Sequence, residues 1–417
     1  MLDIQYIREH AEEVKQNCVD RGIRVDIDKL LELDATRRDG LHTIEELRAA
    51  RKQGSKSKPT PEQIAEMKIV GEKIKLLEEK QSDIEDKYHK ILLQIPNNTH
   101  PDSPIGGEDD FTVLEKTDAP IFNFEPKDHE EILIQKGYLD FERGAKVVGS
   151  KFFYTKNNLV RLNRALISYG IDVASKHGYE LIETPDLAKN DILESAGFNP
   201  RGEETQIYGV ANTDLSLIGT AEITVLGYHS DEIIDLSKGP KKYAAISHCY
   251  RTEAGAYGRT SKGLYRVHQF SKLELFIFCK PEDSNKLHEE LLVIEKEIVN
   301  GLGLSYQVID IATGDLGGPA YRKFDIEAWM TMKNDEKNQG GFGEITSTSN
   351  CTDYQARSAN IRYRTDEGKT DYVHTLNGTA IVSSRMPIAI VEQFQDVDGN
   401  VHIPEVLQTY MGDIKTL

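Results

Sequence analysis

Cysteine is scarce in this chain. Cys18, Cys249, Cys279 and Cys351 lie far apart and form no C-x-x-C pair, which argues against a disulfide framework and a zinc ribbon. Four buried or half-buried thiols in a reducing compartment are expected instead. Long apolar runs are missing too. Nothing approaches the stretch of about 18 apolar residues that a membrane helix needs, so no membrane partner is expected. The opening MLDIQYIREHAEEVKQN has no apolar h-region and no small-residue cleavage site, so no signal peptide is expected and the default is a cytoplasmic protein. There is no GxxxxGK[ST] and no strand-to-helix GxGxxG, so any nucleotide phosphates must be held by side chains and metal. Basic residues are the minority, 51 Lys and Arg against 69 Asp and Glu, giving a net charge of −18. That argues against nonspecific binding to DNA or other nucleic acid, while leaving room for a local basic patch.

What is present is enough chain for two or three domains: 417 residues, 38% hydrophobic and 29% charged. The first hundred residues carry helical apolar periodicity in two long polar segments. One runs from about Ile27 to Lys52, with Leu30, Leu33, Leu41, Ile44 and Leu47 on one side. The other runs from about Pro61 to Ile95, with Met67, Val70, Ile74, Leu77, Ile84, Tyr88, Ile91 and Ile95 in heptad spacing and Gln81 as the one polar interruption. Gly54, Ser55, Pro59 and Pro61 break helix between them, and Thr60 can cap the second. The spacing predicts a long antiparallel hairpin, an arm over about 27–95 within an N-terminal domain 1–100. Its tip, 48–58, holds Arg48, Arg51, Lys52, Lys56 and Lys58 and no acid. A solvated turn and a nucleic-acid contact both fit that run. A Pro-, Gly- and Asp-rich stretch, 101–126, reads as linker. From 127 to 417 strand candidates (KFFYT, YELIET, YAAISHCYRTE, LYRVHQFSKLELFIFC, YQVIDIA, FDIEAW) outnumber helices (157–176 and 281–300). Strands following one another without helices favour an antiparallel or mixed sheet, so an α+β domain.

Polar residues concentrate in four places. In 249–276, Arg251 and Glu253 flank Thr252, and Arg266, His268, Phe270, Lys272 and Glu274 alternate, which places each set on one sheet face. Such a face cannot be an apolar core; a solvated sheet face fits it, but the mixture also offers an aromatic for stacking, guanidinia for phosphate or carboxylate, and carboxylates for amine or metal. In 342–364, Glu344, Ser347, Ser349, Asn350 and Asp353 are hard oxygen donors of the kind that suits Mg²⁺ shared with phosphates. In 374–395, a turn at Asn377-Gly378 is followed by an apolar run and by Arg385, just before a helix opened by Pro387. In 217–225, Thr220 and Glu222 straddle Ala221. Each of the last three alone reads more readily as turn chemistry than as a site.

Taken in order, TAE, RTEAGAYGR…VHQFSKLE, EITSTSNCTDYQARSANIRYR and LNGTAIVSSR resemble a class II aminoacyl-tRNA synthetase, and the seryl-tRNA synthetase family in particular. TGDLG at 313–317, the opening segment and the hairpin extend the resemblance over essentially the whole chain. It implies a class II antiparallel or mixed sheet flanked by helices and preceded by a coiled-coil arm. It implies a homodimer, with Pro185 at the interface. The implied activity is activation of serine by ATP, with Mg²⁺, and transfer to the 3′ end of tRNA(Ser), with tRNA(Sec) open as a second acceptor. Arg251 is then expected on the α-phosphate and the serine carboxylate, with Thr252 beside it. Glu253 is expected on the adenine side, Phe270 under the ring, and Val267, His268 and Gln269 in the nucleotide wall. Arg385 would hold the γ-phosphate of a bent ATP. Glu344, Ile345, Thr346 and Ser347 would line the phosphates, with Glu344 and Ser347 on Mg²⁺. Thr220, Ala221, Glu222, Glu274, Asn377 and Thr379 would form the serine pocket, Glu274 facing the ammonium. Arg48, Arg51, Lys52, Lys56 and Lys58 would grip the long variable arm of the tRNA.

The residue types suit that chemistry. Attack of a carboxylate on the α-phosphorus builds charge on phosphoryl oxygens, which fixed arginines and Mg²⁺ stabilise, and no side-chain nucleophile is required. A shape-reading arm suits an RNA duplex. The chain departs from the family pattern at Thr260-Ser261-Lys262-Gly263, where Asp-Thr-Arg-Gly is usual, at SKLE, and at ESAGFNPRGEETQIY. No zinc ligand is expected in the pocket. A carrier-protein ligase of similar fold would lack the arm, and a non-catalytic scaffold would have lost Arg251, Glu344 or Arg385; this chain has all four features.

Overall fold

The computed structural model describes residues 1–54, 60–198, 206–253, 262–334 and 339–417. Its contacts divide the chain into two units, Met1–Asn98 and Thr99–Leu417.

The first unit is helical. Two short helices, α1 (Ile4–Glu9) and α2 (Ala11–Asp20), precede the hairpin pair α3 (Ile27–Gly54) and α4 (Pro61–Leu92). Ile7, Val14, Cys18, Ile27, Leu30, Tyr88, Leu92 and Ile95 close the core at the base. Further out the seam thins. Ile44 and Ile74 are buried, but Leu41, expected in the seam, is turned out to solvent. Gly40 takes the inward position because Gln81 fills the space opposite: a Cβ at residue 40 would stand 2.4 Å from Gln81 Oε1. The Gln81 amide donates across the seam to the Arg37 carbonyl at 3.1 Å. The polar interruption is therefore a cross-hairpin hydrogen bond that fixes the register of the two helices, the role best attested for single buried polar groups in coiled coils.

One turn nearer the base, Asp34 is fully buried. Arg8, Arg37 and Arg38 surround it at 3.6, 3.2 and 3.1 Å. Arg37 also lies over the Tyr88 ring at 4.7 Å, so one buried carboxylate ties α1 to both hairpin helices. Replacing Asp34 by Ala should lower the opening free energy of these helices by about 2 kcal/mol, less than the 3–5 of a fully buried pair because the guanidinia keep access to water. Amide hydrogen exchange of α1, α3 and α4 measures it; unchanged protection would remove this carboxylate from the account of the arm's base.

The second unit is built on an eight-stranded sheet: β1 (Thr112–Lys116), β2 (Glu180–Glu183), β3 (Lys241–Tyr250), β4 (Gln269–Cys279), β5 (Tyr306–Asp310), β6 (Arg322–Met330), β7 (Gly341–Thr352) and β8 (His374–Val382). Their spatial order is β1-β5-β6-β7-β8-β4-β3-β2. Every neighbouring pair is antiparallel except β2 with β3, which is parallel. The mixed sheet matches the expectation, and β1 lies within the stretch read as linker. Five helices matter for the site: α5 (His129–Gln135), α6 (Asn158–Lys176), α7 (Ala221–Tyr228), α8 (Ser284–Gly301) and α9 (Met386–Gln393).

Strand alternation divides β4 between two faces. Leu273, Leu275, Ile277 and Cys279 face the core under α6 and α8, whereas Phe276 and Phe278 join the cluster around α7. Lys272 and Glu274 share the face of Phe276, beyond the part of it occupied by that cluster. In β8, Leu376 and Ala380 face the α8 side, which turns Asn377 and Thr379 the other way. The polar residues thus gather on one face of a rigid sheet.

Candidate active site

Arg251 and Glu253 do not lie on a strand, as the alternation had suggested. β3 ends at Tyr250 and β4 begins only at Gln269, so Arg251–Glu253 and Arg266–His268 leave the sheet as paired extensions. One backbone bond, from Arg251 N–H to the His268 carbonyl at 3.0 Å, still ties them together. Glu253 then turns through φ +52°, a left-handed conformation that costs a non-glycine residue energy and is held here by its place in the site. Arg266 Nη1 donates to Glu253 Oε2 at 3.4 Å.

A cleft of about 430 Å³, its mouth to solvent included, opens over this face. Its floor is Phe270, with the Arg251 guanidinium 5.3 Å above the ring and donating to the Gly219 carbonyl. Val267 and Ile345 are buried in its wall, and Thr379 and Ser384 line it. At one end stands Arg385, 4.7 Å over the Tyr265 ring and donating to the Tyr265 and Glu344 carbonyls. Its Nη1 is 2.9 Å from Glu344 Oε1. Burial alone would raise the Glu344 carboxyl, but Arg385, Lys323 and Arg251 hold it down at about 2. Lys333 lies 5.1 Å over the same Tyr265 ring. Burial pushes its ammonium down, and Arg385 and Arg266 add to that. This end of the cleft therefore gathers three cations, Arg385, Arg266 and Lys333, with Glu344 paired to the first and Glu253 to the second.

The other end is acidic. Thr220 caps α7 through the Glu222 amide and donates its hydroxyl to Glu274 Oε2 at 3.1 Å. Glu274 also pairs with Lys272. Glu222 Oε1 accepts from Gln355 Nε2 at 2.6 Å and from Asn377 Nδ2 at 3.0 Å. Burial, helped by Glu274, raises Glu222 to about 7. Arg251 acts electrostatically on both Glu222 and Glu344.

Several expected residues sit elsewhere. The Thr346 side chain is buried and bonded to Glu295 on α8, so it points away from the cleft. His268 Nδ1 meets the Arg251 carbonyl and the Tyr208 hydroxyl, each at 2.9 Å, and its ring stacks on Phe152, so it supports the wall from outside. Gln269 is exposed beside Tyr250. Ala221 is buried at the start of α7. Thr252 N–H is tied to the Gln206 carbonyl at 3.1 Å. Ser347 hydrogen-bonds Asp325, whose carboxyl burial raises to about 7. On the arm, Arg48 pairs with Glu78 across the hairpin at 2.7 Å, and Arg51 and Lys52 are exposed. Lys56, Lys58, Gly255, Gly258, Thr260 and Ser261 lie outside the described residues. Lys262, of the departing tetrapeptide, pairs with Asp128.

Sequence reading missed Tyr265, Lys333, Gln355 and His129. Tyr265 alone carried a signal, standing one place before the polar alternation that starts at Arg266. His129 is wholly buried; its Nδ1–H donates to Glu392 Oε1 at 2.6 Å and its Nε2 accepts from the Leu264 amide at 3.0 Å, which sets the tautomer. Glu392 Oε2 in turn accepts from the Met332 amide at 3.0 Å. No periodicity could connect residues so far apart.

Known proteins resemble this chain over its whole length. The family description for the tRNA synthetase class II core domain (G, H, P, S and T) matches residues 208–394, and that for the seryl-tRNA synthetase N-terminal domain matches 1–99. A serine–tRNA ligase of Treponema denticola is 48% identical over 421 residues, 99% of each chain. The seryl-tRNA synthetase of Pyrococcus horikoshii, crystallised with ATP, superposes with a TM-score of 0.88 at 37% identity, covering 100% of this chain and 99% of its own. A cytoplasmic serine–tRNA ligase of Naegleria fowleri in complex with AMP gives 0.83 at 31% identity, covering 100% and 98%.

The raised Glu222 carboxyl has a consequence for stability. Below its ordinary value of 4.5 the acid is protonated in folded and unfolded chains alike. From there to about 7 the unfolded chain ionises first, so stability of the unliganded protein falls as pH rises and levels off above about 7. Glu222→Gln should flatten that fall. Urea midpoints at about pH 5 and about pH 8 decide it; equal slopes in the two proteins would put the proton elsewhere.

Proposed function

The chain belongs to the seryl-tRNA synthetase family, and from that premise we propose how its residues divide the work of a serine–tRNA ligase. The observation that carries the assignment is the polarity of the cleft: paired carboxylates at one end, cations on an aromatic ring at the other, and Arg251 in electrostatic reach of both. Serine is a cation and an anion on one carbon, and ATP is a polyanion. Glu222 and Glu274 take the ammonium. Thr379 and Asn377 lie beside them on the same face, where they can bond the serine hydroxyl. Arg251 brings the serine carboxylate to the α-phosphate, and a carboxylate oxygen attacks phosphorus as pyrophosphate leaves. Arg385 and Arg266 hold the leaving phosphates, and Phe270 is the stacking surface for adenine. In the second step a ribose hydroxyl of the tRNA 3′ end attacks the seryl carbonyl and AMP leaves.

Glu344 and Ser347 form a donor set of one carboxylate and one hydroxyl, both hard oxygens. That fits Mg²⁺, which binds through few protein ligands and completes its shell with phosphate oxygens and water. When bound it neutralises charge on the phosphoryl oxygens. The acceptor is tRNA(Ser), gripped by Arg51, Lys52 and their neighbours at the arm's tip. A homodimer is supported by the outermost strand β2, exposed at three of its four residues, with Leu181 and Leu187 open to solvent on either side of Pro185. Four buried, unbridged cysteines suit a cytoplasmic setting, and no helix among the described residues is long and apolar enough to cross a membrane.

ATP–pyrophosphate exchange tests the activation step. Serine should support it, and alanine should be rejected by about 10⁴-fold, because a site built to bond a hydroxyl is left with unpaired polar groups by the analogue. No exchange with serine, from folded protein with Mg²⁺, would overturn the reading. Arg385→Ala should lose at least about 10²-fold in exchange while keeping its far-UV circular dichroism; wild-type exchange would break the assignment of the cationic end. A chain lacking residues 27–95 should activate serine and fail to charge tRNA, and normal charging by it would remove the arm from tRNA binding.

A further inference from the structure

Behind the serine pocket lies a carboxyl that the reaction does not use. Glu295 sits in the middle of α8, fully buried among Leu291, Ile294 and Ile298. Among the described residues no lysine or arginine pairs with it. The Thr346 hydroxyl donates to Oε2 at 2.9 Å, and the Thr379 backbone amide interacts with the carboxyl as well. Among the described residues Oε1 has no hydrogen-bond partner within bonding geometry. It stands instead against Gly378, where a Cβ would come within 2.8 Å of it. Burial holds the proton on this carboxyl well above the ordinary range, and the nearest charged groups, Asp325 and Glu274, reinforce that.

An apolar residue would fill this place in α8 at lower cost, since an unpartnered buried oxygen forfeits its hydration. What the acid adds is a fixed contact with the strand at one point. Gly378 faces α8, so its neighbours Asn377 and Thr379 face the cleft, and Asn377 bonds Glu222 there. The lack of a side chain at 378 lets the carboxyl press directly on the backbone between two serine-pocket residues. We propose that Glu295, through its contacts with Thr346 and the Gly378 backbone, is the positioning residue of the serine pocket, setting Asn377 and Thr379 from the back of β8. This rests on the reading of Asn377 and Thr379 as serine contacts.

Serine and ATP titrations in pyrophosphate exchange test it. Glu295→Ala should raise the KM for serine by at least about tenfold, the scale expected when contact residues shift by a fraction of an ångström, and leave the KM for ATP within about twofold. Glu295→Gln, an uncharged isostere that keeps the contact with Thr346, should restore serine affinity to within about twofold of wild type. Glu295→Met, which keeps the volume and loses the polar contacts, reads the same effect should the alanine variant not fold. An unchanged KM for serine in Ala and Met, or a Gln variant as impaired as Ala, would overturn the proposal. Thr379→Ala separates the two levels. If it raises the KM for serine while Glu295→Ala does not, only the positioning role fails. If Thr379→Ala leaves that KM unchanged, the serine-contact reading itself is wrong.

Discussion

The pair between Arg385 and Glu344 is the contact on which the cationic end depends. It joins the residue ahead of α9 to β7, and the guanidinium is pinned from the side by the Tyr265 ring. Tyr265 is itself held, because the amide of the preceding Leu264 is caught by His129 and His129 by Glu392, seven residues after Arg385 on α9. The circuit closes on the helix where it began. An ion pair with one partner open to solvent contributes little net stability, since water screens the attraction. Its value lies in preorganisation: a cation already oriented need not reorganise when an anion enters the cleft.

The same economy governs the acidic end. Two carboxylates near one another would repel, and the structure manages this by raising one of them and pairing the other with Lys272. A cation placed between them would reverse the balance and favour Glu222 as the anion. The site therefore has two ends of opposite charge on one sheet face, kept apart by strands that cannot bend independently. Charge separation of this kind is affordable only on a rigid scaffold.

Much of this was legible from the residues. The hairpin followed from heptad spacing, the mixed sheet from strands without intervening helices, and the clusters from polar alternation. The failures share a cause. Leu41 was placed inside because periodicity counts apolar residues and cannot see that Gln81 requires a glycine opposite. Arg251 and Arg266 were put on strands because alternation continues for a few residues past the last ladder bond. Thr346 was grouped with Glu344, but the extra residue Ile345 breaks the strand alternation between them and turns Thr346 to the other face. His129, Lys333 and Glu295 were invisible because their importance lies in partners distant in sequence: Leu264 and Glu392, the Tyr265 ring, Thr346 and Gly378.

The locked hairpin register has a consequence of another kind. Two helices joined by an apolar seam can slide by a turn, but a bond from Gln81 to the Arg37 carbonyl, seated over Gly40, exists in one register only. The position of α3 along α4, from the base formed with α1 and α2 outward, is thereby fixed. The arm is a ruler: whatever its tip grips is held at a set distance from that base, and one heptad more in each helix would move the mark by about 10 Å.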